Sequence, residues 1–326
     1  MNTYAPYTLI PAMIYLAAMG AFAVAFLVDW IRRFEQIHRY WKHAIAAAAI
    51  LVSLNCLTIA VAPGEWTMVR IVGFMSLPLL FVRVVGFTML GTHYCARMGR
   101  PSFRLLPQEL PLPPAPPSNI PPPANDAGPC MGSVGPDLPP ALAEVLAEPI
   151  PQADSPSAQA VVSSPPGPRS PQDYLRDVLA VAAVSAIYSA LLFLLTKPHI
   201  GEMIERAFGV GKNAAEAGTY APFTVLLVLT FAFGEEIFFR LGIQNFLATY
   251  LHWQGNRYWA AVALTSLLWT LGHAGVLDPE WVKLAQIFPV GLMLGWLFRR
   301  HGVEACMLAH GLFNVLMIGL SSLLVT

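Results

Sequence analysis

Apolar residues in this chain gather in long runs separated by short polar breaks, and eight of these runs approach the length of a membrane crossing. They cover about 7–29, 44–62, 69–92, 175–196, 221–247, 258–276, 284–298 and 303–324. A helix needs roughly 20 consecutive apolar residues to cross a hydrocarbon core of about 30 Å. The pattern therefore predicts an all-α, polytopic membrane bundle of about eight helices, three before and five after a central break. The first run lacks a basic leader and is longer than a signal-peptide core of about 7–15 residues, so it reads as a retained span.

The break has a different character. Of the 29 prolines, 21 fall between Pro101 and Pro171. Proline has no backbone N–H and stiffens the chain toward polyproline II, so this stretch cannot build a packed core. Residues 99–173 are expected to be a disordered, proline-rich linker, with one short helix at 140–148. Its PxxP matches follow from composition, and they assign no partner to the linker. The expected organisation is an accessory membrane domain at 1–98, the linker at 99–173, and a second membrane domain at 174–326.

Composition supports this reading. Hydrophobic residues make up 56% of the chain and charged residues 12%, with a mean hydropathy of +0.57. Soluble domains carry about 25% charged residues. The formal net charge is zero, which gives no electrostatic basis for a nucleic-acid partner; the expected partners are the lipid bilayer and a peptide or protein substrate. Cys56, Cys95, Cys130 and Cys306 are scattered without a CxxC spacing and read as free thiols. Basic breaks follow the first, third and seventh runs ("IRRFEQIHRYWK", "ARMGRPSFR", "FRRH"). By the positive-inside rule they share the cytoplasmic side with the linker, leaving both termini outside. The expected location is integral to the cell membrane.

Against this background "GEEIFFR", Gly234–Arg240, is anomalous. A carboxylate at the bilayer centre costs about 2.5–3.5 kcal/mol on insertion scales, and this run holds two. Among the 19 acidic residues, only Glu235 and Glu236 fall clearly within runs; of the histidines, only His273 and His310 do. Glu236 and Arg240 are one helical turn apart, which suits an ion pair. Glu235 lies about 100° around the helix and stays available. His310 and Asn314 share a helical face, as do Trp269 and His273. Each such group alone could be an interhelical packing contact. Together, on three helices, they form a candidate functional site.

The chemistry these groups support is hydrolysis. A carboxylate near an imidazole can act as general base on water, and a histidine and a carboxamide one turn apart can donate to an oxyanion. Glu235, His273 and His310 would alternatively supply one carboxylate and two imidazoles to a divalent metal such as zinc. No HExxH motif and no GxSxG elbow is present.

"EEIFFR", "WTLGH" and "HGLFN" resemble, in that order, the EExxxR, FxxxH and HxxxN motifs of the CPBP family of intramembrane proteases. That family includes the type 2 CAAX prenyl endopeptidases and proteins similar to lysostaphin-resistance and bacteriocin-immunity factors. The resemblance covers about residues 174–326. It implies an intramembrane endopeptidase of the glutamic type without a cofactor. Glu235 would be the general base assisted by His273, and His310 with Asn314 would stabilise the oxyanion. Glu236 and Arg240 would hold the helix. Trp269 stands where the motif has phenylalanine. The alternative from another class is a catalytically inactive scaffold or immunity factor that keeps the protease fold. Arg83, deep in the third run, has no partner at helical spacing.

Overall fold

A computed structural model describes residues 6–61, 68–103, 170–200 and 217–324. Residues 104–169, which hold nearly all of the expected linker and its short helix, lie outside the described residues.

Each of the eight apolar runs contains a helix, because in lipid every backbone N–H and C=O must be satisfied within the segment. Before residues 104–169 stand α1 (Pro6–Ile37), α2 (Trp41–Ala60) and α3 (Met68–Arg97), with the 3-10 turn His38–Tyr40 joining the first two. After them come α4 (Pro171–Thr196) and then α5 (Ala217–Glu235), which passes through a π-helical stretch (Glu236–Gln244) into α6 (Asn245–Tyr250). The chain ends with α7 (Tyr258–Leu271), α8 (Glu280–His301) and α9 (Val303–Leu324). Proline lies inside α1, α3, α5 and α8, which apolar helices tolerate when neighbours re-satisfy the freed carbonyl. A two-residue antiparallel pairing, β1 (His199–Ile200) with β2 (Leu277–Asp278), matches His199 to Asp278.

Among the described residues, six segments are long and apolar enough to cross a membrane. The first of these, Ile10–Ala60, includes both α1 and α2. The sixth expected span is shorter than its apolar run. Its helix, α7, has 14 residues and reaches about 21 Å at 1.5 Å per residue, because it ends at Leu271 just before Gly272. The seventh is longer than its run, since α8 takes in Glu280 and Lys283 before it and Arg299 to His301 after it. Large apolar side chains point outward along the bundle, among them Leu16, Ile31, Leu79 and Leu195, each more than 60% exposed. An apolar exterior of this extent belongs against lipid.

The first three helices pack directly on the later ones. At Gly91 of α3 an added Cβ would lie 2.5 Å from the Leu241 carbonyl oxygen, so only glycine lets α3 approach the π-helix this closely. Thr58 of α2 and Thr230 of α5 share a buried hydrogen bond of 3.2 Å. Asp29 of α1 accepts from Tyr94 of α3, Tyr250 of α6 and its own neighbour Arg33.

That last cluster corrects an expectation from the sequence. Glu235 and Glu236 are not the only acids well inside helices: Asp29 and Asp177 are both buried. Asp29 lies in the last third of α1 and Asp177 in the first third of α4, each where basic or phenolic partners converge. Asp177 of α4 takes the His301 Nε2 at 2.8 Å and the Arg300 guanidinium at 2.7 Å. Cys95 and Cys306 are buried free thiols and Cys56 is a half-buried one; Cys130 lies outside the described residues.

Candidate active site

The site is built where α5 becomes π-helical. In a π-helix each N–H reaches the carbonyl five residues back, and such stretches recur at functional sites. The end of this stretch releases carbonyls, and Asn245 collects them: its amide nitrogen donates to the Leu241 oxygen at 3.0 Å and lies 3.4 Å from the Arg240 oxygen. The stretch is therefore held by a side chain at its exit and by the close approach of Gly91 on its flank.

The two adjacent glutamates have different surroundings. Glu236 is 1% exposed and lies between two partners. The Arg240 Nε sits 3.3 Å from one oxygen, and the His310 Nδ1 sits 2.9 Å from the other. The Arg240 guanidinium is fully buried, 5.3 Å from the Trp269 ring centre, with Nη1 at 3.5 Å from Ser266 Oγ. Glu235 is half-buried and accepts a hydrogen bond of 2.8 Å from the Trp269 indole N–H.

Trp269 lies at the centre of this arrangement. His273 meets its ring edge-on at 5.1 Å and His310 does so at 5.2 Å. The His273 Nδ1 is 2.9 Å from the Trp269 carbonyl oxygen. A carbonyl only accepts, so this contact fixes the proton on Nδ1 and leaves Nε2 as the basic nitrogen of the neutral ring. His310 is oriented in the same way by Glu236, with its Nε2 directed away from that carboxylate. Asn314 lies one turn further along α9, half-buried, and makes no hydrogen bond to another described residue.

The structure thus brings Glu235, Trp269 and His273 into one group, and Glu236, Arg240 and His310 into another, with Trp269 touching both. Among the described residues no three His, Cys, Asp or Glu side chains form a group able to hold a metal ion.

Three contributors were not legible in the sequence. Lys283 of α8 is close enough to interact electrostatically with Glu235 and His273, and its Nζ donates to Gln286 at 2.9 Å. The apolar run began one residue after it, which placed it outside the span. Tyr15 of α1 interacts with Glu235, and its ring packs where a Cβ on Gly272, the neighbour of His273, would meet it at 3.0 Å. The indole N–H of Trp269 is the third. The sequence showed an aromatic replacement, but only the fold aims its donor at a carboxylate.

Residues 217–316 match the family model described as type II CAAX prenyl endopeptidase Rce1-like. The chain is also 27% identical over 86 residues to the sporulation-killing factor biosynthesis protein SkfC of Bacillus subtilis (strain 168). That alignment covers 26% of this chain and 16% of the length of SkfC. No solved structure matches the chain. The matched segment contains all seven residues singled out above, from Glu235 to Asn314, so residues 217–316 are similar to the type II CAAX prenyl endopeptidase Rce1-like family where the candidate site lies.

Proposed function

We propose that the protein is an intramembrane endopeptidase that cleaves a membrane-associated, lipidated or leader-bearing peptide by water activated at Glu235. The observation that carries this reading is the half-buried Glu235 carboxylate. It is held by the Trp269 N–H and has His273 and Lys283 nearby, inside an otherwise apolar bundle. Its neighbour Glu236 is already engaged by Arg240 and His310.

In the proposed reaction Glu235 takes a proton from water as the oxygen attacks the peptide carbonyl carbon, assisted by the basic Nε2 of His273. The carbonyl π-electrons move to oxygen. His310, when both ring nitrogens carry protons, keeps its Nδ1–H on Glu236 and donates through Nε2–H to that oxyanion, together with the Asn314 amide. Collapse breaks the C–N bond, and the proton held by Glu235 passes to the leaving amine. Every proton is accounted for by water and these side chains, so the reading uses no metal.

The test compares new peptide termini in membranes containing wild-type protein or Glu235→Gln at equal abundance, with and without a chelator. Termini that appear only with the wild type and survive chelation support the glutamate mechanism, and their flanking sequences name the substrate. Termini abolished by chelation would replace it with the metal alternative. Identical termini in both membranes would favour the inactive scaffold or immunity factor.

A further inference from the structure

We propose that Arg83 of α3 and Tyr15 of α1 form an anion-binding subsite beside Glu235 that recognises a carboxylate on the substrate. The placement of Arg83 is the starting point. It lies mid-helix in α3 (Met68–Arg97), 15 residues from the first and 14 from the last. Either distance is about 21 Å or more at 1.5 Å per residue, more than its own side chain can span.

Arg83 is nevertheless exposed, and no acidic side chain among the described residues pairs with it. Its guanidinium lies 6.0 Å from the centre of the Phe238 ring, three residues after Glu235. Ionisable side chains at membrane depth are rare and mark substrate or ion pathways. A guanidinium offers five N–H donors in a fork that matches a carboxylate.

Tyr15 connects this cation to the candidate site. It interacts electrostatically with both Arg83 and Glu235, and its ring packs against Gly272 beside His273. The phenol adds a neutral donor near both the guanidinium and Glu235. A substrate carboxylate seated on Arg83 would be neutralised there and kept apart from the carboxylate of Glu235, which would otherwise repel it. The helices before residues 104–169 thus contribute specificity to a site whose other groups lie after them. The subsite rests on the proteolytic reading for its purpose, but its binding chemistry can be measured without cleavage.

The experiment uses full-length Glu235→Gln protein in phosphatidylcholine nanodiscs. It is equilibrated with random N-acetylated octapeptides lacking Asp and Glu, in one library with free C-terminal carboxylates and in another with C-terminal amides. Retained peptides are quantified by mass spectrometry. The expected result is about tenfold greater retention of the carboxylate library. That preference is lost with Arg83→Gln, kept with Arg83→Lys and reduced with Tyr15→Phe. A third, amidated library with one Glu per peptide separates the sources: retention matching the carboxylate library assigns the subsite to any acidic group, and retention matching the amides assigns it to the C-terminus.

Equal retention of acids and amides overturns the proposal, as does a preference that Arg83→Gln leaves intact. Loss of the carboxylate preference when the nanodiscs contain anionic lipid would make Arg83 a lipid-phosphate site and overturns it as well. Carboxylate preference in a protein that produces no new termini would sink the proteolytic reading alone. New termini without the preference would sink the subsite alone.

Discussion

Glu235 and Glu236 are neighbours in the chain, and the same isosteric change should affect them in opposite ways. Glu236 is 1% exposed and Arg240 fully buried, with Arg240 Nη2 already lacking a hydrogen-bond partner among the described residues. Glu236→Gln leaves that guanidinium uncompensated, and the imidazole of His310 loses its charged acceptor. Breaking a buried pair by removing one member costs about 3–5 kcal/mol, chiefly because the remaining charge stays buried. At about 2–4 °C per kcal/mol for domains of this order of size, the unfolding midpoint should fall by about 6–20 °C. Glu235→Gln removes a charge from a half-buried position while its amide oxygen can still accept from Trp269, so its midpoint should move by only about 1–2 °C. The measurement is thermal unfolding in detergent followed with a thiol-reactive fluorophore. Cys95 and Cys306 are fully buried and report on loss of the core. The double variant Glu236→Met/Arg240→Met should regain most of the lost stability, since a buried ion pair replaced by apolar residues of similar volume is often neutral. A Glu236→Gln midpoint within about 1 °C of wild type, or a double variant no better than the single one, would refute the reasoning.

Gly91→Ala should force α3 away from the π-helix at a cost of about 1–3 kcal/mol, whereas Gly20→Ala, where a Cβ meets nothing within 4 Å, should be neutral in the same unfolding assay. Trp269→Phe restores the motif's aromatic ring but removes the donor to Glu235; kcat on a substrate identified from the new termini should fall by about twofold to tenfold at unchanged KM, and an unaltered kcat would show that the indole N–H has no positioning role. Asp29→Asn weakens the charged anchor shared by Tyr94, Tyr250 and Arg33, and proteolysis in detergent should become faster at the ends of α1 and α6, with a stability loss of about 1–3 kcal/mol.

Much of the architecture follows from composition along the chain. Long apolar runs must be helices in lipid, because no water is present to satisfy the backbone, and eight runs give eight helical regions. The ends are where this inference weakened. The α7 helix stops at Leu271, before Gly272, inside an apolar run, while α8 carries Glu280 and Lys283 beyond one. Hydropathy reports the preference of a residue for lipid, not where the hydrogen-bond ladder ends.

For the candidate site, helical spacing was enough to pair Glu236 with Arg240 and to leave Glu235 apart, because those relations lie within one turn of one helix. The π-helical geometry was not visible, since it depends on α3 approaching at Gly91 and on Asn245 gathering released carbonyls. Spacing also could not show that His310 bonds Glu236, that the Trp269 N–H aims at Glu235, or that Lys283, Tyr15 and Arg83 border the same region. Each of those contacts joins different helices, often more than thirty residues apart in sequence. The sequence by itself determined which residues were too polar for their surroundings, because desolvation acts on each side chain wherever it lies. Only the tertiary structure decided which of them meet, because partners are chosen by how helices pack.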